Sequence, residues 1–109
     1  MSNPEIGALR RRITLQAPTT TPDGGGGMAV AWVPVAQLWS QMRALSGGEV
    51  VLTDSLQGRI THEFVIRKRL DVGPPMRLAM GARIFVIRAV LDRDGPELYI
   101  RVQAEERLQ

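Results

Sequence analysis

Three groups of residues in this chain of 109 have types and spacing that could support chemistry. The first is TPDGGGGMAV, Thr21 to Val30. A phosphate loop of the G-x-x-x-x-G-K-[ST] kind needs a lysine and a hydroxyl after its glycines, at the start of a helix. Here Met28, Ala29 and Val30 follow and open a strand. The strand–turn–helix setting of a dinucleotide fingerprint is missing too. The stretch therefore reads as a hairpin tip, because glycine takes φ > 0 without steric cost. Four glycines exceed what a tight turn needs, and they predict a mobile loop that orders against a partner. The second group is His62, the one histidine. It has no second histidine for a metal pair and no nucleophile motif beside it, and it reads as a half-buried residue at a strand margin. The third is DRDG at Asp92 to Gly95, which resembles the opening of a calcium loop. Pro96 and the lack of a glutamate downstream oppose that reading, and Asp92 and Asp94 are expected to cap their own turn. With no cysteine there is no disulfide and no thiolate metal site. No catalytic, cofactor-binding or metal-ligating residue is assigned, and an enzyme is not expected.

Charge offers a different kind of contact. The net charge is +3, ordinary for solubility, and it permits an acidic or DNA partner without demanding one. The basic runs are Arg10-Arg11-Arg12 and Arg67-Lys68-Arg69. Neighbours on a strand point to opposite faces, so neither run forms one patch. They read as solvated strand surface, or else Arg10, Arg11, Arg12, Arg67 and Arg69 face a partner or DNA. A single-strand binder on the OB pattern is the alternative function. It would want aromatic platforms among the charges, and most of Trp32, Trp39, Phe64, Phe85 and Tyr99 fall at positions assigned to core.

The elements that must position these residues are mostly strands. Ile13 and Leu15 alternate with Arg12, Thr14 and Gln16, a half-buried strand that Pro18 is expected to end. Pro34 forbids a helix across Met28 to Leu45 and predicts two strands, Ala29 to Val33 and Val35 to Arg43, with a bend between them. Ile60, His62, Phe64 and Ile66 alternate with Thr61, Glu63, Val65 and Arg67. Met76 to Met80 is a brief strand, and Arg83 to Leu91 is apolar on both faces, as a central strand is. Leu98, Ile100, Val102 and Ala104 form the inward set of the last strand. Between them, Ser46 and Glu49 have capping-box spacing, and Val51, Leu52, Ser55 and Leu56 follow at helical spacing up to Gly58. The prediction is all-β: one domain over 1–109, a small antiparallel β-barrel with a long loop and one short α-helix at about residues 46–57. No apolar run is long enough for a signal peptide or a membrane span, so the chain reads as a soluble protein made in the cytosol, without a membrane partner.

The order of the segments resembles a family. IGALRRRITLQAP, a D-x-G-G loop, a tryptophan, LWSQMRALSGGE, THEFVIRKRLDVGPPMRL, GARIFVIRAVLDRDG and LYIRVQAEE together look like the phage head–tail joining proteins, the head-closure or stopper proteins of long-tailed phages and gene transfer agents. The matching positions are Gly7, Leu9, Arg12, the Trp39 segment, Ser46-Gly47 with Glu49, Thr61-His62, Arg67, Met76-Arg77 and the Gly81 to Ile87 strand. Gly48 departs from the family pattern, which often has a longer residue there. The resemblance implies a small β-barrel without catalytic residues. It implies a ring, hexameric or dodecameric, between the head's portal or adaptor ring and the tail terminator. Such a ring lines or closes a channel through which DNA passes without sequence recognition. The protein would be made in the host cytoplasm and assembled into the particle neck. Asp23, Gly24, Gly25, Gly26 and Gly27, with Ser46, Gly47, Gly48, Glu49, Leu52 and Leu56, are the expected subunit or channel contacts, because a lone barrel of this size needs neither segment. Extended loops also suit the head-to-tail contacts of a ring.

Overall fold

A computed structural model describes residues 10–45 and 60–107. Six strands account for most of them: β1 Arg11–Pro22, β2 Met28–Ala44, β3 His62–Arg67, β4 Arg77–Met80, β5 Arg83–Leu91 and β6 Tyr99–Arg107. All pairings are antiparallel, in the order β1-β2-β3-β6-β5-β4, and β4 pairs back onto β1 through Thr14↔Ala79, Leu15↔Leu78 and Gln16↔Arg77. The sheet thus closes on itself as a barrel, which removes its open edges over the closed part. The all-β antiparallel class is as expected from the alternation. The expected helix at 46–57, and with it Ser46, Gly47, Gly48, Glu49, Leu52 and Leu56, lies outside the described residues. No helix among the described residues is long and apolar enough to cross a membrane.

The core is aliphatic around two phenylalanines. Ile13, Leu15, Ile66, Val72, Leu78, Ile87, Ile100, Val102 and Ala104 pack with Phe64 and Phe85, whose rings meet edge-on at 4.9 Å, a favoured aromatic geometry. Period-two alternation places these residues inside: Ile13 and Leu15 on β1, Phe85 and Ile87 on β5, and Ile100, Val102 and Ala104 on β6. The last strand corrects one assignment. Leu98 precedes β6 and is exposed, while Tyr99 is buried. β3 corrects another, since Glu63 and Val65 are buried along with the inward residues. β3 runs between β2 and β6, and long side chains from both neighbours cover its outer face. Arg43 Nη2 and Arg101 Nη1 lie 3.5 and 3.6 Å from the Glu63 carboxylate.

The prolines act differently from expectation. β1 runs on through Pro18 to Pro22. Beyond Gln16 it has a neighbour on one side only, and an edge is where a sheet tolerates a residue without an N–H. β2 is continuous through Pro34. Its register steps from Leu15↔Ala36 to Gln16↔Pro34, which leaves Val35 as the extra residue of a β-bulge. The expected bend is this bulge. The outcome is an arm. Ala17 to Pro22 pair with Met28 to Val33 and with no other strand. Six residues of strand reach about 20 Å, and the molecule measures 51 × 29 × 28 Å, longer by a similar amount in one direction.

Candidate functional site

At the tip of the arm the glycines have local reasons. Asp23 N–H donates to the Gly27 carbonyl at 3.1 Å. The Asp23 Oδ1 accepts from the N–H of Gly25 at 2.8 Å and of Gly27 at 3.1 Å. Gly24 and Gly26 have φ of 86° and 89°, the left-handed region that side chains avoid. A Cβ on Gly27 would come within 2.8 Å of Asp23 Oδ2. Three of the four glycines are therefore accounted for within the turn, and the surplus shrinks to Gly25. The two backbone N–H donors hold the Asp23 carboxyl below its usual 3.8, Gly25 contributing most. A phosphate would have to displace this carboxylate from the same N–H groups and then sit beside its charge. The loop is not a phosphate cradle.

Below the tip the two faces of the arm differ. Pairing places Pro22 with Met28, Thr20 with Val30, Pro18 with Trp32 and Gln16 with Pro34, all on the face continuous with the outside of the barrel. The other face holds Ala17, Thr19 and Thr21 against Val33, Ala31 and Ala29. Met28 and Val30 are 60% and 59% exposed. No charged residue occurs from Ile13 to Pro22 or from Met28 to Met42. An uncharged, largely apolar ribbon open to water is the mark of a surface that another molecule covers. Reading the residues singly missed Met28, Val30 and Trp32. The signal was available as the two long charge-free runs on either side of a turn.

Of the five aromatics, Phe64, Phe85 and Tyr99 are buried, and the two tryptophans lie outside the core. Arg77 stacks over Trp32 at 4.1 Å from the ring centre and donates from Nε to Gln16 Oε1 at 2.7 Å. Arg12 stands 5.3 Å over Trp39 and donates to Gln37 Oε1 at 2.7 Å. Arg10, Arg11, Arg12 and Arg67 are exposed. Arg67 lies one step past the Ser40↔Ile66 pair, on the strand next to the one that carries Trp39. Arg69 is engaged by Asp71, with both bonds at 2.9 Å. Asp92 takes φ of 70° in its turn, accepts Gly95 N–H on its carbonyl and binds Arg101 Nε at 3.0 Å through its carboxylate. That carboxylate pairs across the sheet rather than capping its own turn.

His62 sits at the opposite end of the barrel from the arm. Its Nδ1 is 2.9 Å from Thr61 Oγ1, and its ring meets Phe85 edge-on at 5.0 Å. Its Nε2 lies 3.9 Å from Glu106 Oε1. The outline is that of a hydroxyl, imidazole and carboxylate triad, but the parts are committed elsewhere. Thr61 Oγ1 accepts Glu106 N–H at 2.8 Å, and Glu106 is held by Arg83 at 2.7 and 2.9 Å. A gap of 3.9 Å is not a hydrogen bond. Burial lowers the His62 pKa, outweighing the nearby Glu106 carboxylate. These are structural contacts closing one barrel end. Among the described residues no group of three His, Cys, Asp or Glu is placed to hold a metal ion.

Solved structures share this architecture. Protein SF1141 from Shigella flexneri 2a superposes with a TM-score of 0.68 at 23% identity, over 95% of this chain and 97% of that one. At that identity the likeness is one of fold. A chain from the virion of a native gene transfer agent particle superposes with a TM-score of 0.67 at 27% identity, over 98% of this chain and the whole of that one. No curated protein matches. The family described as phage head completion protein matches residues 4–107. A family match over nearly the full length of the chain leaves a plain conclusion: this chain belongs to the phage head completion protein family.

Proposed function

We propose that the protein is a neck component of a tailed phage or gene transfer agent particle, forming a ring between the head's portal or adaptor complex and the tail, around or across the DNA channel. The observation that carries the reading is the arm, an uncharged ribbon extending about 20 Å beyond a closed barrel, which has no use in a monomer. Family membership and likeness to a gene transfer agent virion chain support a structural part of such a particle. A ring needs a contact surface distinct from the one that receives it, and a projecting hairpin meets that need. In this reading the Asp23 to Gly27 tip and the segment with Ser46, Gly47, Gly48, Glu49, Leu52 and Leu56 are the subunit or channel contacts. Arg10, Arg11, Arg12 and Arg67 give the channel or the acidic rim of a neighbour a positive surface. Single-strand binding has less support, because Phe64, Phe85 and Tyr99 are buried and each tryptophan has an arginine over its ring.

The test is to produce particles without this chain. Heads should fill with DNA and lack tails, and purified protein added afterwards should restore tail attachment. Tailed particles forming at the normal yield without it would refute the reading.

A further inference from the structure

The arm has two outer edges, and its prolines guard only one of them. Asp23 N–H donates to the Gly27 carbonyl at 3.1 Å, so the backbone of Asp23 faces across the hairpin. Backbone N–H and C=O groups alternate sides along an antiparallel strand. Thr21, Thr19 and Ala17 therefore turn theirs toward Ala29, Ala31 and Val33, and the residues between them turn theirs away from the paired strand. On β1 the outward positions are Pro18, Thr20 and Pro22. On β2 they are Met28, Val30 and Trp32, with Pro34 next. Pro18, Pro22 and Pro34 all stand where the hairpin ladder needs no N–H. The two edges differ as a result. The β1 edge keeps one outward N–H, at Thr20, between two prolines, which protects it from pairing. The β2 edge keeps three in succession, at Met28, Val30 and Trp32. Over those residues it has no proline, no charge and no bulge. β2 first meets β3 at Ser40, so among the described residues no strand lies along Met28 to Val33 on that side.

We propose that the β2 edge from Met28 to Trp32 takes up an extended strand of a different protein of the particle, making the arm three strands wide. This rests on the neck reading above for the source of the strand. The edge repeats an N–H and a C=O about every 7 Å, and another extended polypeptide backbone matches that row. DNA does not, because its phosphates only accept hydrogen bonds and the arm carries no cation to hold them. Joining this edge to the same edge of a second copy requires antiparallel pairing about a two-fold axis, because β1 occupies the other side of β2. Such a contact joins two chains and does not propagate a ring. The occupant is therefore a chain that stands above or below the ring. Side chains opposite one another on adjacent strands touch, so the partner residues beside the exposed Met28 and Val30 are apolar. The partner segment is uncharged there and has no proline where it must donate to the edge.

Val30→Pro separates this edge from the hairpin itself. It removes one outward N–H at the kind of position that already holds Pro18, Pro22 and Pro34, so the arm should keep its own ladder. Thr20→Pro makes the same change on the guarded edge, and Val30→Thr keeps the N–H while replacing the side chain. Each is added to DNA-filled heads made without the chain, and tail attachment is followed against protein concentration. Val30→Pro should need about tenfold more protein, the cost of one lost backbone bond. Thr20→Pro and Val30→Thr should act nearly as the unsubstituted chain does. Full activity of Val30→Pro, or an equal loss in either of the other two, would overturn the inference. Hydrogen exchange of the unsubstituted chain, free and in particles, decides the matter without a variant. The Val30 and Trp32 amides should be unprotected in the free protein and gain about 100-fold protection in the particle. Ala29 and Ala31 should be protected in both states and Thr20 in neither. Particles that hold the chain with Val30 and Trp32 unprotected would overturn the inference and leave the neck reading intact. Protection of these amides that grows with concentration in the purified protein alone would overturn it in favour of a two-fold pair. Absence of the chain from particles would overturn the neck reading and this inference with it.

Discussion

Asp23 decides the form of the arm's tip through two bonds to its carboxylate, and those bonds depend on its charge. Its pKa is lower in the folded chain than in the unfolded one. The bonds are therefore fully present above the usual 3.8 and are lost as pH falls through the lower folded value. Protection of the Gly25 and Gly27 amides relative to their intrinsic exchange rates should be present at pH 5 and fall well below 3.8. In Asp23→Ala that protection should be absent at both, with melting barely changed, because the tip is far from the core. Equal exchange in the two proteins would rule out the carboxylate as organiser. His62 has the same sign with a different cause. Burial lowers its folded pKa below 6.5, so its contribution is complete above 6.5 and is lost as pH falls through the folded value. The melting temperature should drop between pH 7.5 and pH 5.5 and drop less in His62→Gln. A rise on acidification would show that the Glu106 attraction dominates instead. The sequence showed a turn at Asp23 and a half-buried ring at His62. It could not show their partners, because those depend on backbone angles at Gly24 and Gly26 and on a strand pairing 44 residues away at Glu106.

At the scale of elements, the strands were legible wherever apolar and polar residues alternate, and β5 falls on the expected residues from Arg83 to Leu91. The arm was not, because proline was read as a terminator. Pro18 and Pro34 are tolerated where β1 and β2 have one neighbour or a bulge, and neighbours are a property of the sheet rather than of the segment. The tip gives a prediction at this scale. Gly26→Ala forces a side chain into the left-handed region and should loosen the hairpin by about 1 kcal/mol. Gly25→Ala, whose Cβ would meet Asp23 Oδ1 at an ordinary 3.6 Å, should be tolerated. Chemical-shift changes along 17–33 distinguish them, and equal effects would contradict the assigned angles. The bulge gives another. Val35 is the residue in excess, so deleting it should leave Leu15↔Ala36 and Gln16↔Pro34 as regular successive pairs and keep Met28, Val30 and Trp32 on the same face of the arm. In a Trp39→Phe background, Trp32 should stay over Arg77 with unchanged acrylamide quenching and cooperative unfolding. A Trp32 that becomes more easily quenched would mean that Val35 is not the extra residue.

The whole molecule divides into a closed barrel that stabilises itself and an arm that does not. The barrel buries its apolar side chains among themselves, and on its outer wall Arg83, Arg88 and Arg101 are paired with Glu106, Glu105 and Asp92. The arm leaves Met28 and Val30 in water. That division was only half legible. The all-β class and the order of segments that resembles the head–tail joining proteins could be read from the chain. The placing of both tryptophans outside, and of every large exposed apolar residue off the ion-paired wall, depended on register. Stability and assembly should therefore respond separately. Val30→Glu should melt with the unsubstituted protein and fail to enter particles, and a large loss of melting temperature would show that the arm is part of the fold.

The most direct test of the central claim is mass by light scattering, first of the purified protein alone and then with DNA-filled heads that lack tails. The account predicts a monomer or a ring that joins those heads and makes them competent to take tails. Protein that ignores the heads and instead binds short single-stranded DNA, with affinity falling as salt rises, would contradict it.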